Sequence, residues 1–380
     1  MKILHIYILQ IVLLVIRNGN SMELSSSGEY TGVTVRIHED SPVDNCQQLL
    51  DNLQDLLERT SESVGVASGG RVWPSQYIVV LPSSWSGSPC SSRGEIPRGN
   101  TRFKRDDIII SDGPLVYGAH PCTVQPKGCG EKGAYISLPL SYLRDNSSWE
   151  EERAGKLMAH QFFKLRFGLF DEQGYPDDPL YPNYYKHQGR ILPTGSTNID
   201  VKGVWLTEKG MSPCAPDNEV CVFHPQGDND GLICSLGYLP QLEGTTRYCT
   251  PEQLNFRIPP TKQNVICGGK SAHEIIEGSE DYRLVSGTGD SNSSFVPRVD
   301  FVLSPREKIV LVLETSSSMG EDEDWKWIQK VAHKLIRYDL PSSIEVGVVS
   351  FSNESKVEYP LTKLESARGK LADSVPDKYR

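Results

Sequence analysis

After its first sixteen residues the chain has no apolar run long enough to cross a membrane. No pore and no membrane span are therefore expected in it. Positive charge is also short: 39 Lys and Arg stand against 49 Asp and Glu, a formal net charge of −10. That argues against nucleic acid and anionic membranes as partners, since both select clustered Lys and Arg. None of the nine cysteines forms a C-x-x-C pair, which disfavours zinc ribbons and thioredoxin-type chemistry. No internal repeat is present.

What is there points to export. Lys2, the apolar run Ile3–Ile16 and the small or polar Gly19-Asn20-Ser21 read as a signal peptide over residues 1–21. In an oxidising compartment disulfides are the default, and an odd cysteine count leaves one thiol over. Sequons at Asn146, Asn292 and Asn353 agree with a secreted, extracellular glycoprotein.

Periodicity orders the rest. Val33, Val35 and Ile37 alternate with Thr34, Arg36 and His38 as in a strand, and Leu49, Leu50, Leu53, Leu56 and Leu57 recur at helical spacing. Short strands are expected at Tyr77–Leu81, Asp107–Ser111 and Ala134–Leu138. A helix follows, opened by a capping box from Ser148 to Glu151 and closed at Gly168. Cys214–Cys267 reads as a disulfide-stapled stretch, and Gly278–Ser294 as a polar linker. From about Arg298 strands and helices alternate: strands Ile309–Leu313 and Val346–Phe351, helices Trp325–Tyr338 and Glu365–Ser374, and Lys356–Tyr359 pairing alongside.

The segment Met158–Glu172, MAHQFFKLRFGLFDE, starts on the helix closed at Gly168, with His160 on it, and runs past that end. A zinc peptidase of the H-E-x-x-H type holds Zn²⁺ with two His one turn apart and activates water with the Glu between them. Here His160 is present, Gln161 occupies the general-base position, and Lys164 occupies the second His position. A protonated Lys164 about 4 Å from Zn²⁺ would be repelled by about 8 kcal/mol at an effective dielectric of about 20. Gln161 cannot take a proton from water at neutral pH, which removes general-base help worth about 10²–10⁴ in rate.

Around those gaps the frame Leu165-Arg166-x-Gly168-x-Phe170-Asp171-Glu172 survives, together with Cys129-Gly-Glu-Lys-Gly-Ala-Tyr-Ile136, Gln263-Asn-Val-Ile-Cys267 and Ile309–Met319. These stretches resemble the calcium-activated chloride channel regulator (CLCA) family from about Gly28 to the C-terminus. The resemblance implies an α/β chain: an α+β zincin-like domain at 22–200, a cysteine-rich region at 201–277, a linker at 278–297 and a partial, Rossmann-like VWA domain at 298–380. By the same resemblance Asp171 is the third zinc position, and the VWA fold is cut off at Arg380. The D-x-S-x-S metal loop of such domains falls on Glu314, Ser316 and Ser318. The longer Glu arm should weaken Mg²⁺, which demands near-ideal octahedral geometry, more than Ca²⁺.

The expected function is that of a secreted pseudo-metallopeptidase acting through protein contacts. No cofactor and no zinc are expected, and Mg²⁺ or Ca²⁺ at the VWA loop stays open. The resemblance implies a protein partner, a chloride channel or an extracellular matrix protein, and modulation of calcium-activated chloride conductance. Two alternatives remain: an active zinc metalloendopeptidase with substituted ligands, and a VWA-type adhesion or matrix-binding module.

Overall fold

The computed structural model describes residues 22–378 except 40, 43, 86–89, 91–95, 100–105, 113–119, 145–150, 177, 208–211, 217–220, 255–256, 286–293, 305–307, 318–323 and 343. The expected signal peptide, the helix-start signal at Ser148, the sequons at Asn146 and Asn292, and Ser318 lie outside the described residues. No described helix is long and apolar enough to cross a membrane.

The main sheet has six strands, in the order Arg298–Leu303, Gln76–Leu81, Val33–Ile37, Ile108–Ser111, Tyr135–Pro139, Cys122–Val124. The first five are parallel, and Cys122–Val124 runs antiparallel at one edge. The expected alternation of Val33, Val35 and Ile37 places all three in the core. The leucines of helix Cys46–Ala67 form one buried stripe, each contributing about 1.5–3 kcal/mol on transfer from water. That helix packs against helix Glu151–Phe167. Their backbones meet at Gly155, where an added Cβ would fall 2.7 Å from Arg59 Cβ and 2.9 Å from the Arg59 carbonyl oxygen. No larger residue fits there.

Helix Glu151–Phe167 ends as expected at Gly168, which has a left-handed φ of 65°. The C-G-E-K-G turn is bonded directly to this end. The Gly130 amide donates to the Gly168 carbonyl (3.1 Å) and the Gly133 amide to the Leu165 carbonyl (2.9 Å). A Cβ on Gly168 would sit 2.3 Å from the Glu131 nitrogen, so this glycine answers to space as well as to φ. The third signature arrives through Cys129–Cys267. Gln263 then accepts from the Phe170 amide (2.8 Å) and donates its own amide to the Asp171 carbonyl (3.0 Å). Three motifs far apart in sequence therefore meet at one junction.

Two expected boundaries do not hold. Residue 278 opens no free linker: Glu280–Leu284 is a helix with Asp281 and Tyr282 buried. Asp281 accepts from Tyr30 (2.7 Å) and pairs with Arg166, while Tyr282 lies edge-on to Phe167 with ring centroids 5.7 Å apart. A buried carboxylate with a guanidinium partner holds this segment against the first domain, and composition alone does not reveal that. Likewise Arg298–Leu303, expected to open the third domain, pairs with Gln76–Leu81 in the main sheet. One hydrophobic core takes in Leu50 and Leu53 together with Leu236, Tyr248, Ile276 and Leu303, so the boundary at 200 divides no core.

The C-terminal unit is a three-stranded sheet. Lys308–Glu314 and Glu345–Phe351 are parallel, and Ser355–Lys363 returns antiparallel to the second. Helices Asp324–Lys334 and Leu364–Asp373, the π-helical turn Leu335–Asp339 that follows the first of them, and the sheet build a core of Leu311, Leu313, Ala332, Ile336, Leu364 and Leu371 on one face. On the other face Val310, Val312 and Val357 are exposed.

Three further disulfides join Cys46 to Cys90, Cys214 to Cys221 and Cys234 to Cys249, and Cys122 is the free thiol. Cys129–Cys267 spans 138 residues and Cys214–Cys221 spans 7. On chain-entropy grounds, replacing both members of the long pair with Ser should cost about 2–3 kcal/mol more than the same change in the short pair. Urea midpoints of the two double variants measure this. Equal losses would mean the long crosslink is not what holds the three-motif junction.

Candidate functional site

Helix Glu151–Phe167 places His160 and Lys164 one turn apart on one face, both buried. The left-handed step at Gly168 turns the chain back, so Asp171 comes to lie against that face. Lys164 Nζ donates to Asp171 Oδ1 at 2.7 Å, His160 Nε2 stands 3.2 Å from the same oxygen, and Tyr175 donates to Oδ2 at 2.8 Å. On its other side His160 Nδ1 is 2.9 Å from the Tyr248 hydroxyl. The carboxylate thus has a partner on each oxygen, and the ring has one on each nitrogen.

Electrostatics assigns the protons. Burial pushes the Asp171 carboxyl up, but the Lys164 charge and the bonds from His160 and Lys164 outweigh it and hold the group well below the usual carboxylate range. Burial lowers His160, which Asp171 offsets only in part and the Lys164 charge reinforces. The imidazole is therefore neutral at pH 7. Burial keeps the Tyr248 phenol protonated, so it donates to Nδ1 while the Nε2 hydrogen goes to Asp171.

Gln161 is used elsewhere. Its Oε1 accepts from the Thr123 amide (2.8 Å) and hydroxyl (3.0 Å), and its carbonyl also accepts from that hydroxyl (2.8 Å). Thr123 sits in the antiparallel edge strand, so the residue in the general-base position ties the helix to the sheet edge.

Lys164 pairs with Asp171, and Glu172 has a different partner. It is wholly buried and accepts from the Ser235 hydroxyl. Gly237 closes over it, because a Cβ there would lie 2.7 Å from Glu172 Oε2 and 3.0 Å from His160 Cε1. Burial pushes the Glu172 carboxyl up to about 7, with the Ser235 bond opposing.

This donor set does not fit zinc. His160 and Asp171 are two candidate ligands where three protein ligands are usual, and the Lys164 ammonium bonds to the oxygen that would face the ion. His120 packs against Tyr142 and His187 lies beside Tyr185, while Asp177 is outside the described residues. Among the described residues no three His, Cys, Asp or Glu side chains converge to hold a metal. At the second loop, Glu314 accepts from Ser316 Oγ at 2.6 Å. Of the three sequons, Asn353 is described and exposed.

The sequence pattern located His160, Gln161, Lys164 and Asp171. It missed Thr123, Tyr248 and Ser235, which come from an edge strand and from cysteine-rich loops with no motif of their own. Tyr175 had a partial signal, four residues after Asp171 in a Pro- and Tyr-rich loop.

Comparison with known proteins identifies the family of each part of the chain. Residues 22–287 match the family described as "Calcium-activated chloride channel N terminal", and 308–380 match the "von Willebrand factor type A domain". Calcium-activated chloride channel regulator 1 of Bos taurus is 26% identical over 346 residues, covering 88% of this chain and 37% of its own length. Regulator 2 of Homo sapiens is 25% identical over 357 residues, covering 92% and 36%. Regulator 3A-1 of Mus musculus is 23% identical over 360 residues, covering 92% and 38%. The chain spans under two fifths of the length of each of these three.

Two measurements probe the cluster. Asp171→Asn leaves Lys164 buried without its counter-charge and should cost about 3–5 kcal/mol; a loss under about 1 kcal/mol, the range of exposed pairs, would mean water already solvates the pair. Glu172 has the opposite sign. Its folded pKa is raised, so its contribution is full below about 4.5 and is lost as pH rises through about 7. Glu172→Gln should therefore gain on the unmodified protein between pH 5 and pH 8, by on the order of 2–3 kcal/mol in urea unfolding. A difference that does not change with pH would show that Glu172 ionises as freely folded as unfolded.

Proposed function

Because the chain belongs to the calcium-activated chloride channel regulator family, we propose that it is a secreted, non-catalytic pseudo-metallopeptidase that acts through protein contacts. One observation carries this reading: the Lys164 ammonium bonds to Asp171 at 2.7 Å, in the place a zinc ion would need. The positive charge that completes the cluster belongs to the protein itself, and His160 is neutral and bonded at both nitrogens. Gln161 adds support, since its carboxamide is engaged by Thr123 and has no basicity to offer water. What the cluster does is join a helix, a sheet edge and cysteine-rich loops at one buried junction.

The relatives are named as regulators of calcium-activated chloride channels. We extend that role to this chain as modulation of calcium-activated chloride conductance from outside the cell, through a channel or an extracellular matrix protein as partner. The four disulfides support export. Adding the purified protein to cells that carry such a current, and recording it, tests the role. An unchanged current at saturating protein would count against it.

The non-catalytic part has a sharper test. Elemental analysis should find no stoichiometric zinc in the purified protein, and a peptidase assay should find no hydrolysis. The double variant Gln161→Glu with Lys164→His rebuilds three ligands and the base, and should bind zinc. Neither single change should confer activity. Stoichiometric zinc with hydrolysis in the unmodified protein would replace this reading with that of an active peptidase using other ligands. A folded double variant without zinc would show that the cleft no longer accommodates a metal even when its ligands are restored.

A further inference from the structure

Asn353 stands at the tip of the hairpin joining Glu345–Phe351 to Ser355–Lys363. Phe351 and Ser355 face each other across the last rung, and the Ser352 amide closes the turn on the Glu354 carbonyl at 3.0 Å. Asn353, Glu354 and Ser355 are all exposed. The turn therefore offers a whole Asn-x-Ser acceptor with no proline at its centre, at the surface position such sites require.

Strand direction fixes what a glycan there would cover. Lys308–Glu314 and Glu345–Phe351 run parallel with Glu314 opposite Phe351, and the Thr315 amide donates to the Phe351 carbonyl at 2.7 Å. The loop that opens at Glu314 and the turn that carries Asn353 thus leave the sheet at the same carboxyl end. In open parallel α/β sheets that end is where ligands are received. Asn353 lies two residues beyond Phe351.

We infer that Asn353 carries an N-linked glycan that stands over the Glu314–Ser316 loop and screens this end of the C-terminal sheet from large partners, leaving it open to ions and small solutes. The donor is a lipid-linked oligosaccharide diphosphate. The Asn353 amide nitrogen loses one proton and bonds to the anomeric carbon, the bond from that carbon to the diphosphate oxygen breaks, and the lipid diphosphate leaves with the electron pair. A protein partner is then directed to surfaces other than the loop that resembles a metal-dependent adhesion site. The inference rests on the proposed export of the chain.

The test uses the full chain expressed through the secretory pathway of a eukaryotic cell. Deglycosylation by an amidase in heavy-oxygen water marks each occupied asparagine by mass, and residue 353 should be marked. Screening is read with Ser316→Cys in a Cys122→Ser background. A large polyethylene-glycol maleimide should label that cysteine several-fold faster once Asn353→Gln removes the glycan, while a small maleimide labels both forms alike. Ser355→Ala removes the same acceptor without changing the asparagine, and serves if Asn353→Gln does not fold. Retention inside the cell would overturn the export reading and this inference with it. Secretion with residue 353 unmarked would overturn this inference alone. Marking at 353 with no change in the large reagent's rate would overturn the screening.

Discussion

A carboxylate taken out of water costs several kcal/mol unless a cation goes with it, and Asp171 has that cation in Lys164. Much of the surrounding structure is arranged about this pairing. The backbone of Asp171 is held by Gln263, its side chain by His160, Lys164 and Tyr175, and the next residue by Ser235. A divalent ion beside one carboxylate and two neutral imidazoles would leave one positive charge over. A lysine balances the carboxylate alone, which is consistent with the remaining His160 being neutral and satisfied by Tyr248. The ammonium therefore neutralises Asp171 without any further ion, and the paired carboxylate can stay buried.

The same economy explains why the frame around the altered positions is still recognisable. Arg166 bonds Asp281 and lies 4.7 Å over the Tyr30 ring, Gly168 has room only for hydrogen beside Glu131, and Phe170 is tied to Gln263. None of these acts on a metal. They fasten the helix end to the C-G-E-K-G turn and to the segment closed by Cys267. Residues that hold the junction are constrained by packing, whereas the buried residues 160, 161 and 164 must also satisfy charge balance and hydrogen-bond valence. Lys and Gln satisfy those demands.

Legibility in the sequence followed the range of the interactions. Strands such as Val33–Ile37 and the leucine stripe of Cys46–Ala67 were readable because periodicity is local. The stop at Gly168 was readable because a left-handed residue after a helical run is a local signal. The positions of His160, Lys164 and Asp171 followed from one helix and one turn. What failed was long-range. Asp281 lies 115 residues from Arg166 and 251 from Tyr30, so a stretch that composition marks as linker proves to be a clasp. Residues 298–303 read as the opening of a new domain, ahead of its first strand at Ile309–Leu313, because alternation of strands and helices follows them, yet they form a strand whose partner is Gln76–Leu81. No pattern within the strand itself distinguishes those two sheets. Tyr248 and Thr123 were invisible for the same reason, being a phenol and a hydroxyl whose roles exist only once helix and loops have met.

Both loops depart from the ligand pattern of the motifs they resemble. At the first, the Lys164 ammonium pairs with Asp171. At the second, the carboxylate at residue 314 is one methylene longer than an aspartate and accepts from Ser316. The three-motif junction, the Arg166–Asp281 clasp and the long crosslink at Cys129–Cys267 hold the elements around the first loop in register, whichever group balances Asp171.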